Sequence, residues 1–201
     1  MSVSASDVKT LRDKTGAGMM DCKKALQETG GDTEKAIAYL REKGIAKAAT
    51  RQGRAAQEGI IFSYIHPGDK LGVLVEVNCE TDFVARTDDF RNFVKDVAMH
   101  IAATGPTAVS REEIDPKIVE AERQIYRSQA LNEGKQEKFV DKIVDGRLEK
   151  FYAETVLLEQ PFVKNPDITM DDLQKEMIAK LGENIVIKRF VRFRLGETQD
   201  D

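Results

Sequence analysis

Hydrophobic residues in this chain keep a helical period up to about residue 44 and, past a basic connector that the sequence leaves open as a helical or a mobile linker, alternate one-in, one-out over GIIFSYIH (59–66) and LGVLVEVNC (71–79). They return to a helical period and alternate again over ENIVIKRFVRFRLG (183–196). Successive side chains point to opposite faces of a strand, whereas a helix brings residues three and four apart to one face, so one element type cannot serve both patterns. An α+β fold follows. Pro67-Gly68-Asp69-Lys70 supplies turn chemistry between the first two alternating runs and makes them an antiparallel hairpin. In its second strand Val73, Val75 and Val77 share one face and Leu74, Glu76 and Asn78 the other. The closing run is a third strand expected to join the hairpin, giving a three-stranded antiparallel sheet packed with helices.

Ahead of the sheet lies a small three-helix bundle. Ser4 or Ser6 caps a helix carrying Val8 and Leu11, and Gly16-Ala17-Gly18 breaks it. Met19, Cys22 and Leu26 then fall on one inward face, with one of Met19 and Met20 expected in the core and the other exposed, because adjacent helical residues face apart. After Gly30-Gly31, Asp32 or Thr33 caps a third helix turning Ala36, Ile37 and Leu40 inward, with Gly44 as its stop. The expected organisation is a helical domain over 1–44, a basic linker over 45–57 and an α+β core over 58–196. That core holds the hairpin at 58–79, helices within 88–181 and the last strand at 184–195; a polar tail covers 197–201. In the core, Thr87 or Asp88 caps an amphipathic helix with Phe90, Phe93, Val94, Val97 and Ile101 on one face, ending at Gly105-Pro106. Ser110 with Glu113 reads as a capping box before Pro116. Ile118, Ile125, Phe139, Ile143, Leu148, Phe151 and Tyr152 form the stripes of two helices separated at Asn132-Glu133-Gly134. Pro161 and Pro166 punctuate a loop before a helix capped by Thr169.

Composition excludes several classes of function. No apolar run approaches the ~20 residues of a membrane span, and the start, MSVSASDVKTLRDKTG, lacks the apolar segment of a signal peptide. It reads as a mature cytosolic N-terminus, and a cytoplasmic location is expected. Cys22 and Cys79 are too few and too scattered for a disulfide scaffold or a zinc site. His66 and His100 show no metal-ligand spacing, and no glycine-rich phosphate loop follows a strand, so neither cofactor nor metal is expected. A thiol centre of Cys79, His66 and Asp82 lacks a cation or helix start that would form a thiolate. The chain does not read as an enzyme. Charge is uneven: residues 1–57 carry eleven Lys/Arg against seven Asp/Glu, and the rest twenty against twenty-eight. A mildly basic head on an acidic body suits an acidic protein surface better than a nucleic acid.

Two segments are distinctive: LRDKTGAGMMDCKKAL (11–26) and EVNCETDFVAR (76–86). In order and spacing they resemble the two signatures of the translation elongation factor Ts family, and LGENIVIKRFVRFRLG (181–196) is similar to that family's last strand. The resemblance implies a guanine-nucleotide exchange factor for elongation factor Tu, acting in translation elongation. It implies that the N-terminal bundle is similar to a ubiquitin-associated (UBA) domain, docking on the partner's G domain through positions around Thr15, Gly16, Gly18, Met19, Met20 and Lys23. It also implies that Thr81, Asp82, Phe83 and Val84 disturb the partner's magnesium site, with Phe83 as a wedge and Asp82 beside it. The chain is shorter than family members with a duplicated core, and the family precedent for short members is a homodimer. Without the resemblance, a Phe after a strand reads as core, and Asp82 as a turn cap. Asn78, Glu80 and Arg86 read as loop scaffolding. Two other readings remain: a ubiquitin-type or helix-binding adaptor working through the head alone, and an RNA-binding protein using Lys43, Lys47, Arg51 and Arg54. The second lacks interleaved aromatics for base stacking.

Overall fold

The computed structural model describes residues 3–197, so the expected tail beyond Glu197 lies outside the described residues. The order of elements is α1 (Ala5–Thr15), α2 (Met19–Glu28), α3 (Thr33–Ala49), β1 (Glu58–Ile65), β2 (Leu71–Cys79), α4 (Asp82–Ala85) and α5 (Asp88–Thr104). Then follow α6 (Pro116–Asn132), α7 (Glu137–Thr155), β3 (Pro161–Phe162), β4 (Asn165–Thr169), α8 (Met170–Leu181) and β5 (Ile185–Arg194). The main sheet is antiparallel with strand order β1-β2-β5 and is packed with helices. The chain divides into two compact units, each assembled from separated stretches. One takes residues up to Ile60, Val77–Phe93 and Asp172–Val186; the other takes Ile61–Glu76, Val94–Asp171 and the chain from Ile187 onward.

The first unit contains the helical head. Ser4, not Ser6, opens α1: its Oγ accepts from the Asp7 amide at 3.1 Å while the Asp7 carboxylate accepts from the Ser4 amide at 3.3 Å. Val8, Leu11, Cys22, Ala25, Leu26 and Ala36 form the buried core of the head. Asp32 caps α3 through the Lys35 amide at 3.1 Å. Ile37, expected inward, is exposed, because the adjacent Ala36 takes the buried position. Gly44 is not a stop: α3 passes through it and ends at Ala49, covering part of the stretch read as linker. A Cβ at Gly44 would approach the Ala179 Cβ to 3.2 Å, so this glycine permits close packing of α3 on α8. Arg41 reaches Asp172 at 3.8 Å and Glu176 at 3.4 Å, and Arg51 donates to the Ile178 carbonyl at 3.4 Å.

The second unit is dominated by the α6–α7 hairpin, with Ala130, Val140, Val144 and Leu148 buried between the helices and Val119, Tyr126, Ile143 and Tyr152 packed against them. Ile118, Ile125 and Phe139, expected in the stripes, are exposed; the seam runs one position along, through Val119, Tyr126 and Val140. The expected capping box at Ser110 is replaced by a 3-10 turn over Arg111–Glu113, and Asp115 caps α6 through the Lys117 amide at 2.8 Å with Pro116 in the first turn. The stretch read as a proline-punctuated loop holds the two-stranded β3–β4 sheet. His100 is fully buried and accepts at Nδ1 from the Val163 amide at 3.2 Å, so Nε2 carries the proton and donates to Gln160 Oε1 at 2.9 Å.

Burial along β5 does not keep one phase. Ile185 and Ile187 are buried, Lys188 and Arg189 are both exposed, and Phe190 and Arg192 then turn partly inward. The shift turns Val191 and Phe193 to the open face. In the second unit this open face also carries Ile61, Ile65 and Leu74, all exposed, with Arg189 paired to Glu76 at 2.7 Å.

Candidate functional site

β2 ends at Cys79 and the chain turns into α4, a single turn whose cap is Thr81, with Val84 N–H donating to Thr81 Oγ1 at 3.4 Å. Thr81, rather than Asp82, takes the capping role. Asp82 instead lies one turn from Arg86 and accepts from it at 2.7 Å. Phe83 is 79% exposed, Val84 is half-buried, and Ala85 turns into the core. An exposed benzyl ring on so short an element needs a reason for its backbone to stay fixed, and Glu183 supplies one. Its Oε2 accepts from the Glu80 amide at 3.1 Å and the Thr81 amide at 3.0 Å, and its Oε1 accepts from Thr81 Oγ1 at 2.6 Å. Glu80 returns the arrangement by accepting from the Asn184 amide at 2.6 Å. Glu183 and Asn184 escape a reading of the sequence because they stand about a hundred positions from the loop; locally they only look like a helix stop before a strand.

Cys79 is buried and donates its thiol to the Thr81 carbonyl at 3.1 Å. Burial pushes that thiol up to about 11, and Glu183 adds to the effect. It stays protonated at neutral pH, which removes the nucleophile from the thiol reading. His66 sits with the Tyr64 hydroxyl 3.0 Å from its Nδ1. Among the described residues, no three His, Cys, Asp or Glu side chains gather as a metal site would require.

In the head, the positions singled out by the first signature divide by role. Thr15 donates to the Leu11 carbonyl at 2.8 Å and accepts from the Ala17 amide at 3.3 Å. Gly16 ends α1 in the left-handed region at φ 66°, donating to the Arg12 carbonyl at 2.7 Å. Gly18 starts α2 without a side-chain cap. Met19 and Met20 are 50% and 73% exposed, so neither is core: Cys22, Ala25 and Leu26 already fill the small interior. Met19 and the exposed Lys23 line a groove with Val8, Lys9 and Arg12. The basic residues of the RNA reading have contacts within the chain. Lys43 lies over the Tyr39 ring at 4.6 Å, Lys47 pairs with Asp21 at 3.0 Å, and Arg54 approaches Glu80 at 3.8 Å.

A fixed aromatic on a one-turn helix and a methionine-bearing head are features suited to contact with another macromolecule. The family model for elongation factor Ts matches residues 4–197. Elongation factor Ts of Alkaliphilus metalliredigens is 62% identical over 98% of this chain and 91% of its own length. That of Thermoanaerobacter pseudethanolicus is 61% identical over 97% and 96%, and that of Carboxydothermus hydrogenoformans 60% over 97% and 90%. The chain belongs to the elongation factor Ts family of translation elongation factors. Among the described residues, no helix is long and apolar enough to cross a membrane.

Proposed function

We propose that this chain is a non-enzymatic guanine-nucleotide exchange factor of the cytoplasm. It binds elongation factor Tu carrying GDP and promotes GDP release by disturbing the partner's magnesium site. The observation that carries this reading is the exposed Phe83 ring on a backbone tied down on both sides.

GDP on such a GTPase is held by backbone N–H groups around its phosphates and by a bridging Mg²⁺. An exchange factor need not touch the nucleotide; it must bind the nucleotide-free partner better than the loaded one, and by reciprocity it weakens GDP by that ratio. Phe83 is the wedge between helices of the partner's G domain, and Asp82 works beside the magnesium site. Thr81 and Val84 shape the turn that presents them. Burying one aromatic ring is worth ~1.5–3 kcal/mol. Realised only in the nucleotide-free complex, this weakens GDP by about 10- to 150-fold. Any larger effect needs differential contacts from the head, whose docking surface comprises Thr15, Gly16, Gly18, Met19, Met20 and Lys23.

The chain works as a homodimer, and the open sheet face of Ile61, Ile65, Leu74, Val191 and Phe193 supports this reading. A contiguous apolar face of this kind marks an interaction surface, and a second copy supplies a matching one about a twofold axis. The adaptor reading requires the head to act alone, whereas α3 is packed into the same unit as α8 and the Phe83 loop. Release of fluorescent GDP from purified elongation factor Tu tests the proposal. Acceleration at micromolar concentration is expected from the full chain and not from residues 1–50 alone; no acceleration by the full chain would reject it. Sizing of wild type and Phe193→Glu tests the dimer, which the substitution is expected to dissociate.

A further inference from the structure

We propose that Glu183 is a positioning residue for exchange: it fixes the direction in which α4 presents Asp82 and Phe83, and keeps it in register with the head. The inference rests on the exchange reading above.

At the end of β2 the Glu80 and Thr81 amides leave the strand ladder. Buried or half-buried amides need acceptors, and a carboxylate is the strongest available to them. Glu183 serves both amides with one oxygen and the Thr81 hydroxyl with the other. That hydroxyl also accepts from the Val84 amide, so the carboxylate orients the group that caps α4. The fastening is reciprocal, because Glu80 accepts from the Asn184 amide while the buried Asn184 donates through Nδ2 to the Arg54 carbonyl at 2.7 Å. Two neighbouring residues, 183 and 184, thus bind 80–81 from one side and the chain following α3 from the other.

The same short stretch follows α8, whose Ala179 receives Gly44 and whose Glu176 and Ile178 carbonyl receive Arg41 and Arg51. The loop and the head therefore share one support. A ring pushed between the helices of another protein transmits force to its own backbone. A free four-residue helix would turn under that force, whereas one held by a charge-assisted network keeps its angle.

Glu183→Gln keeps the side chain's size and one acceptor oxygen but removes the charge and the second acceptor. The maximal rate of GDP release at saturating factor is expected to fall about 10-fold, the equivalent of one charge-assisted hydrogen bond. The half-saturating concentration should change by less than about twofold, since the head still docks. Amide hydrogen exchange at Thr81 should quicken while far-ultraviolet circular dichroism is unchanged. In a Phe83→Ala background the same substitution should slow release by less than about twofold, because the ring is gone and only Asp82 is left to position. An unchanged maximal rate in Glu183→Gln, or an equal slowing in both backgrounds, would overturn the proposal while leaving the exchange reading intact. Wild-type release by Phe83→Ala itself would instead reject the role of the ring, and this proposal with it. If Glu183→Gln melts too low to assay, Glu80→Gln removes the charge on the return bond to Asn184 and carries the same test with the same two outcomes.

Discussion

The Phe83 turn and the α1–α2 turn of the head both expose apolar side chains, and they differ in what holds them. The head's turn is secured locally: Thr15 bonds to Leu11, Gly16 to Arg12 and Ala17 to Thr15, all within a few residues. The Phe83 turn is secured from a hundred residues away by Glu183 and Asn184. Its one local ion pair, Asp82–Arg86, is half-exposed and contributes little stability. A locally held surface can adjust to its partner while the fold stays unchanged. A remotely clamped one arrives already shaped, as the proposed wedge requires.

The largest expected effect comes from Phe83→Ala. Maximal GDP release should slow by about 10- to 150-fold, with the melting temperature within about 1 °C of wild type, because an exposed ring contributes little to folding. A large loss of stability would break the contrast by making the ring a core residue. Gly16→Ala should act in the opposite sense, mainly on stability. Its φ of 66° strains any other L residue, and a Cβ would meet Lys180 Cε at 2.9 Å. A loss of about 1–2 kcal/mol is expected, seen as a fall of roughly 2–8 °C in a thermal melt for a chain of this size. Met20→Ala should leave melting unchanged and raise the half-saturating concentration about 3- to 10-fold, the worth of one partly buried side chain. An effect on the maximal rate alone would show that the head, too, acts as a wedge.

The smallest expected effect is a pH dependence outside both turns. Burial lowers the affinity of His100 for a proton, and its Nδ1 already accepts the Val163 amide. The unfolded chain therefore binds more protons below about pH 6.5. The stability of neutral His100 is fully present above that pH and is lost as pH falls through the folded value. Melting temperature should drop less between pH 7.5 and 5.5 in His100→Gln than in wild type. GDP release relative to the Phe83→Ala variant should keep the same ratio across that range.

Much of the fold was legible because it is written in local periodicity: the hairpin valines, the Pro67–Lys70 turn and the phenylalanines of α5 each follow from neighbours a few residues apart. What escaped depends on distant partners. Gly44 obeys the local rule for a helix stop, yet Ala179 makes it a packing position. Met19 has core spacing, but the interior of the head is already full. Pro161 and Pro166 hide β3–β4, since proline is tolerated in strands that need no ladder bond at that position. The candidate site shows the same limit. Phe83 after a strand reads as core by burial statistics; only resemblance to a family signature suggested exposure, and nothing local pointed to Glu183.

On the proposed mechanism, the partner buries Phe83 only when it has lost its nucleotide. A fluorine label on this ring, followed by NMR with elongation factor Tu, reads that burial. A large shift and loss of solvent accessibility are expected with nucleotide-free elongation factor Tu, and a ring that stays exposed in the complex with the GDP form. Equal burial in both states, or none in either, would contradict it.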